Sequence, residues 1–380
     1  RDIKRYFYEW KNLWLIETFP ALKLNIKMYP SLKEHLLKYK NELENRSGTS
    51  KWFEIRDTTK FYPEFEKDKI LWQEMSSKPS FAYDDKKFCP DYTAYFITGE
   101  NLKYLIGILN SKISEFYVSH TASSLSKGAL RWFKQYVERI PVPPITKQSE
   151  SIVKEIEKLV DRIILLNKQK QFLLDSFKNL TENMGQKRFQ SPLRQYLSKN
   201  ALDYSINPLK KMFLIDREKM GVPRSYDIRD CGSSLIISVN YADNSCEDVI
   251  RLYFDDETLK EFFHLAISIN IKGKKAYRTQ KKILETVLSD IKLPRSIRNK
   301  EEDVKNIRRL MQVLEKGYKE KLNTDFKDSP VKNLSLQKLD NKIKETDEKI
   351  DQLVYELYGF TEDEIKIIDR FLGKSEDPYE

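Results

Sequence analysis

Residues 141–184 read PVPPITKQSESIVKEIEKLVDRIILLNKQKQFLLDSFKNLTENM, and the change of pattern inside this stretch decides the fold. Pro141-Val142-Pro143-Pro144 marks the end of one unit, because proline fixes φ and brings no N–H to a helix or a central strand. Directly afterwards Ile152, Ile156, Leu159, Ile163, Leu166, Lys170, Leu173, Phe177 and Leu180 recur at alternating spacings of four and three. This is a sustained heptad seam that only Lys170 interrupts. Thr146 or Ser149 can cap the start of the helix and Gly185 its end. A helix of about 32 residues would run about 48 Å.

The seam returns near the end of the chain as Leu336, Leu339, Ile343, Thr346, Ile350, Leu353 and Leu357, closed by Gly359 where a left-handed C-cap belongs. Thr361 and Glu364 then carry a capping-box signature for a last short helix. A lone helix cannot bury its own apolar stripe, so the two seams are expected to pair antiparallel as a long stalk; a homodimeric coiled coil is the competing reading. Between them, Leu235 to Tyr241 and Asp248 to Phe254 read as strands joined by the turn-prone Ala242-Asp243-Asn244-Ser245, with a third strand near Tyr226 to Ile228. Helices are expected over Glu257 to Ile269 and Glu301 to Leu322. Before the prolines, strand-like runs at Lys51 to Arg56, Lys69 to Glu74 and Thr93 to Thr98 alternate with helical stretches at Pro30 to Leu43 and Glu100 to Val118. The fold class is therefore α+β: a domain with a mixed sheet over 1–146, a long spacer helix over 147–184, a small basic α+β domain over 185–300 inserted between the coiled-coil helices, and helices over 301–380.

With 380 residues, 40% apolar and 33% charged, the chain can bury more than one core. Its longest apolar runs, such as Tyr104 to Leu109, fall far short of the ~20 residues a membrane span needs, so no membrane partner is expected. Cys89, Cys231 and Cys246 are too few and too scattered for a disulfide framework or a zinc knuckle, and a reducing cytoplasm is the expected location. No charged stretch followed by an apolar run stands at the start of these residues, so a secretory signal is not expected. The net charge of +10 is unevenly spread: residues 1–146 hold 24 basic against 18 acidic residues, 185–300 hold 22 against 14, and 301–380 hold 15 against 20. Cationic lobes favour a polyanion, since each neutralised phosphate releases counterions; a merely soluble basic protein is the bland alternative.

Specific strings go further. Arg1-Asp2-Ile3-Lys4-Arg5-Tyr6, then Tyr29-Pro30 with Lys33-Glu34-His35-Leu36, Tyr39-Lys40 and Leu43-Glu44, then Lys51-Trp52-Phe53-Glu54-Ile55-Arg56 and Phe65-Glu66-Lys67-Asp68-Lys69-Ile70 follow one another in order. They continue with Tyr95-Phe96-Ile97, Tyr104-Leu105-Ile106-Gly107-Ile108-Leu109-Asn110-Ser111-Lys112 and Arg131-Trp132-Phe133-Lys134-Gln135-Tyr136 up to Pro143. This succession resembles the TaqI-like C-terminal specificity domain that follows the catalytic domain of adenine-specific DNA methyltransferases, single-chain type II restriction-modification enzymes and phage-exclusion (BREX-type) methyltransferases. Ile350-Asp351-Gln352-Leu353-Val354-Tyr355-Glu356-Leu357-Tyr358-Gly359 is similar to the terminus of such enzymes. The likeness covers about 145 residues and the tail, and leaves the middle domain unmatched.

The resemblance implies double-stranded DNA as partner and recognition of its sequence as function, serving bacterial host defence. It also implies an intact enzyme that methylates adenine N6 with S-adenosylmethionine, with Mg as a second candidate cofactor. That chemistry is expected to lie in a missing or separate methyltransferase domain. Asn207-Pro208-Leu209 lacks the second proline and the ring of an adenine-holding loop, and no Gly-rich turn follows a strand. A stand-alone specificity subunit and a coiled-coil adaptor for other proteins are the alternative functions. Metal-nuclease carboxylates are in the wrong order (Asp84, Asp85 before Pro90-Asp91), and His35, His120 and His264 are scattered, so neither a catalytic nor a metal site is assigned.

Readout needs donors and acceptors at base edges with cations on phosphates. Ser126, Lys127 and Arg131, in a short polar basic stretch between two of the strings, are the first candidates. Lys51, Arg56, Lys60 and Lys78 are further candidates, weighed against a solvated sheet edge. In the second lobe the run from Lys272 offers Lys274, Lys275, Arg278, Lys281 and Lys282 as phosphate contacts, weighed against a solvated helix face.

Overall fold

The computed structural model describes residues 2–10, 13–46, 51–55, 62–90, 93–122, 124–125, 129–183, 204–205, 222–241, 245–254, 256–277, 282–283, 286–287, 291 and 300–374. The first unit contains β1 (Ile3–Lys4), β2 (Phe7–Tyr8), α1 (Pro30–Leu37), α2 (Lys40–Glu44), α3 (Tyr62–Phe65), β3 (Lys69–Gln73), β4 (Met75–Ser76), β5 (Phe81–Asp84) and β6 (Ala94–Thr98). It continues with α4 (Leu102–Leu109), α5 (Lys112–Thr121), β7 (Ser124–Leu125), β8 (Ala129–Arg131) and α6 (Lys134–Val137). Then come α7 (Glu150–Asn183), β9 (Tyr204–Ser205), β10 (Pro223–Cys231), β11 (Ser234–Tyr241), β12 (Cys246–Tyr253), α8 (Glu257–Ile271), α9 (Lys300–Asn323), α10 (Leu336–Tyr358) and α11 (Glu362–Lys374). The architecture is α+β.

The first unit is organised around β3, whose Ile70, Leu71 and Trp72 are buried between β5 and β6 in the order β5–β3–β6. Both of its pairings are antiparallel, as is every pairing among the described strands, where the sequence suggested a mixed sheet. For β3 and β5 the physical reason is connection length: parallel neighbours need a crossover of a dozen residues or more, and these two are joined by less. At the start of β3, Lys69 faces Asp84 in register, and their fully buried side chains form an ion pair of 2.8 Å. Such a pair is tolerable only when its remaining valences are met. Lys69 Nζ also donates to the Phe65 carbonyl, and the Asp84 carboxylate accepts from the Lys86 and Phe88 backbone N–H groups.

Helices α4 and α5 divide what the sequence suggested was one helix over 100–118. No proline or glycine stands at the break, and its cause is tertiary. Asn110, fully buried, accepts from the Phe81 N–H at 3.0 Å and donates to the Phe81 carbonyl at 2.9 Å, completing β5 with a side chain instead of a strand. Ser111 then caps α5 through the Ser114 N–H. The stretch 30–43 is likewise divided, into α1 and α2 at Lys38-Tyr39. Lys51 to Ile55 is a turn where a strand was expected, because the Glu54 carboxylate, itself buried, accepts from the Lys51 N–H and pairs with its ammonium group; Arg56 lies outside the described residues.

Helix α7 carries the heptad seam, and α10 is the helix packed most extensively against it. Lys170, the break in the first seam, is ion-paired with Asp340, while a Cβ on Gly107 would meet Ile156, Val160 and Ile350 together. Residues 170 and 340 therefore meet at one level and 156–160 and 350 at another, which fixes the pair as antiparallel. The pair does more than space the lobes. Val153 to Ile164 and Ile350 to Tyr355 belong to the first core, and Leu166 to Phe177 with Leu336 and Leu339 to the second. The second core is otherwise made by the sheet β10–β11–β12–β9, by α8 lying on β10 and β11, and by α9. Strand β11 is buried along nearly its whole length. Gly359, at φ 71, ends α10 as a left-handed cap, and Thr361 with Glu364 forms the expected capping box before α11. Residues 242–244 of the expected turn, and the Gly185 cap, lie outside the described residues. No helix among those described is long and apolar enough to cross a membrane.

Candidate nucleic-acid interface

Arg131 ends β8 in a second small sheet of order β4–β8–β7, opposite Met75. Its position is set by the next residue: the buried Trp132 donates its indole N–H to the Ser76 carbonyl, and the Trp72 indole donates to the Trp132 carbonyl at 2.8 Å. The Arg131 guanidinium lies over the Phe133 ring, 5.6 Å from its centre, and its Nε is buried with no hydrogen-bond partner among the described residues. Lys78 follows β4 in a turn where Ser76 and Ser80 hydroxyls donate to its carbonyl, beyond the end at which Ser76 faces Leu130. Arg131 and the exposed Lys78 thus stand at opposite ends of the β4–β8 pairing. Ser126 and Lys127, on the connection from β7 to β8, lie outside the described residues, as do Arg56, Lys60, Arg278 and Lys281.

The other candidates are placed elsewhere. Lys51 has its charge opposed by Glu54 at 3.2 Å and sits over the Phe53 ring. In the second lobe, Lys274 is half-buried and its ammonium donates to the Asn270 side chain and the Thr286 carbonyl, so it serves the end of α8. Lys275 is exposed. Lys282, also exposed, lies over the Tyr277 ring at 5.4 Å. Lys272, the first cation of this run, is ion-paired with Glu9 of the first unit at 2.8 Å and ties the lobes together.

The strings at the two ends of the chain prove to be one construction. Arg5 makes a two-pronged contact with Asp347 of α10. Asp351 accepts from the Lys112 N–H, Lys112 pairs with Asp369 of α11, and Tyr104 and Tyr358 donate their hydroxyls to the Pro143 and Pro141 carbonyls. The burial of Asp351 pushes its carboxyl up to about 7 against the opposing pull of Arg5. Helix α10 therefore closes the first unit from below, although nearly two hundred residues separate them in sequence.

Residues 1–142 match the family model of the TaqI-like C-terminal specificity domain. Over these residues the chain is similar to that domain. The chain is also similar to the type II methyltransferase M.XhoI of Xanthomonas vasicola, 25% identical over 152 residues that cover 38% of this chain and 28% of that protein. It is similar as well to the type II methyltransferase M.BanIII of Aneurinibacillus aneurinilyticus, 26% identical over 153 residues, 36% of this chain and 26% of that protein. The chain thus spans about a quarter of the length of these curated relatives.

In the first unit the step from β6 to α4 holds a single glycine, Gly99, and α4 begins with the buried Leu102. No methyl-transfer step is assigned to these residues. Sequence reasoning passed over one group of cations. Lys23, Lys27, Lys33 and Lys38 lie on the helical segment 20–46 of the first unit, where α1 and α2 bury no residue at all. The signal was present in the composition: residues 20–40 hold five lysines and one glutamate.

Proposed function

We propose that this chain reads the sequence of duplex DNA as the specificity portion of an adenine-N6 methyltransferase of the restriction-modification kind. The observation that carries the reading is the likeness to the TaqI-like specificity domain over residues 1–142. Phosphate contacts set the register of such a protein on DNA, and side chains at base edges choose the sequence. Arg131, with Ser126 and Lys127 near it in sequence, and Lys78 at the other end of the same small sheet are the contacts assigned to the first lobe. Lys275 and Lys282 are assigned to phosphates from the second lobe. Methyl transfer with S-adenosylmethionine belongs to a methyltransferase domain outside these residues, and the biological role is defence against foreign DNA in the cytoplasm.

The test is selection from a pool of randomised duplexes at moderate salt, followed by sequencing of what is retained. One short motif should be enriched. Retention of no duplex even at low ionic strength overturns the reading. The adenine assignment is tested separately, by mapping modified bases in the host genome with and without the segment encoding this chain. The enriched motif should carry N6-methyladenine that disappears on deletion; methylcytosine in its place would overturn that part alone.

A further inference from the structure

Residues 20–46 form an arm of successive short helical turns: a 3-10 turn at Pro20–Leu22, another at Ile26–Met28, then α1 and α2. Its base is well anchored. Phe19 is buried against Tyr62, the Ile55 N–H donates to the Thr18 carbonyl, and Arg46 donates to the Trp52 and Glu54 carbonyls. Beyond the base, only Ile26 is buried within these turns. A globular protein holds most helices by burying one face, since an isolated eight-residue helix is marginal in water. This arm instead shows solvent Met28 (72% exposed), Tyr29 (52%), Tyr39 (46%) and Leu37 (44%).

Charge states what would cover it. Of the arm's cations, Lys40 is paired with Glu44 and Arg46 is spent on carbonyls. Lys23, Lys27, Lys33 and Lys38 form no ion pair among the described residues, and Glu34 is the one acid in 20–40. An apolar protein partner would have to desolvate four uncompensated ammonium groups. A phosphate backbone gains from each of them, and the interleaved tyrosine and methionine side chains suit sugar and groove edges. The lobe is similar to a specificity domain, so the phosphates are those of duplex DNA.

We infer that the arm over residues 20–46 is a phosphate-gripping element, in which Lys23, Lys27, Lys33 and Lys38 hold the DNA duplex whose sequence is read elsewhere on the domain. This rests on the DNA-recognition reading above, and the experiment separates the two. The whole chain is titrated against a fluorescein-labelled 30-base-pair duplex by anisotropy over a series of sodium chloride concentrations. The comparison is with Lys23→Gln/Lys27→Gln/Lys33→Gln/Lys38→Gln and with the corresponding all-arginine variant. Each lost phosphate contact lowers the slope of log affinity against log salt by about 0.9, so the glutamine variant should lose about 3 to 4 from the slope. It should weaken on the selected motif and on a scrambled duplex by the same factor, with unchanged circular dichroism, while the arginine variant keeps the slope. If the parent chain binds DNA and the glutamine variant shows the same slope, the arm is not on the duplex and the DNA reading stands. If the parent chain binds no duplex, both fall. Loss of binding to phosphatidylserine vesicles with DNA binding unchanged would move the arm to a membrane surface and overturn the inference.

Discussion

Asp351 is 4% exposed and faces Arg5, Asp347 and the Lys112 N–H at the seam between the first unit and α10. Burial raises its carboxyl from 3.8 to about 7, and Arg5 only partly offsets this. A folded-state value above the unfolded one means that folding favours the protonated acid. The stability it contributes is fully present below about pH 4 and is lost as pH rises through 7. Three units correspond to at most about 4 kcal/mol. Asp351→Asn keeps an oxygen for the Lys112 N–H and removes the charge, so its urea midpoint should exceed the parent's at pH 8 and match it near pH 4. A lower midpoint at pH 8 would show that the charge itself is needed by Arg5. Glu261, pushed up to about 7 by burial where it accepts from the Leu336 N–H, works in the same direction. His264, pushed down to about 4 by burial, works in the opposite one, its contribution being lost as pH falls from 6.5 towards 4. None of these environments is legible in sequence, because the burying partners of Asp351 stand at positions 5 and 112. The string Asn110-Ser111-Lys112 is visible as a likeness, yet what each residue does depends on Phe81, Ser114 and Asp351.

At the level of elements, periodicity sees what one helix needs and misses what a neighbour imposes. The seams of α7 and α10 are plain because a buried stripe must recur every three or four residues. The break after α4 and the turn at Lys51 to Ile55 are hidden, because a side chain from elsewhere or a buried carboxylate decides them. The crossing of α4, α7 and α10 offers a sharp test. Gly107 lies where a Cβ would come within 2.6 Å of Ile156 Cγ2, with Val160 and Ile350 close behind. Ile156 is fully buried in the first core and has little room to yield. Gly107→Ala gains about 1 kcal/mol in helix propensity and loses about 1 to 3 kcal/mol in overpacking. The net expectation is a loss on the order of 1 kcal/mol in thermal or urea unfolding. A gain would mean that the three helices can separate at that level without penalty.

For the whole molecule, the question is whether two cores unfold as two bodies. Charge counting showed two cationic lobes, and the prolines at 141–144 marked a boundary in sequence, but the helix that follows them does not respect it. One continuous α7 gives its first half to one core and its second half to the other, and α10 does the same in reverse. Lys272 and Glu9 add a direct ion pair across the lobes. Melting the second core alone would strip Leu166 to Phe177 of cover while leaving the same helix packed further back, so the boundary falls inside a hydrogen-bonded helix and should couple the halves. The five tryptophans, Trp10, Trp14, Trp52, Trp72 and Trp132, all lie in the first unit, and their fluorescence is therefore a private reporter of that core, whereas far-ultraviolet circular dichroism sees both. Ile237→Ala, at a fully buried position of β11 in the second core, should cost about 2 to 5 kcal/mol. If the helices couple the cores, the tryptophan transition falls by several degrees in step with the circular dichroism, in a single transition. A tryptophan midpoint that stays in place while the dichroism splits in two would mean that the lobes are independent bodies threaded on a shared helix, and α7 would then be a hinge where the packing makes it a strut.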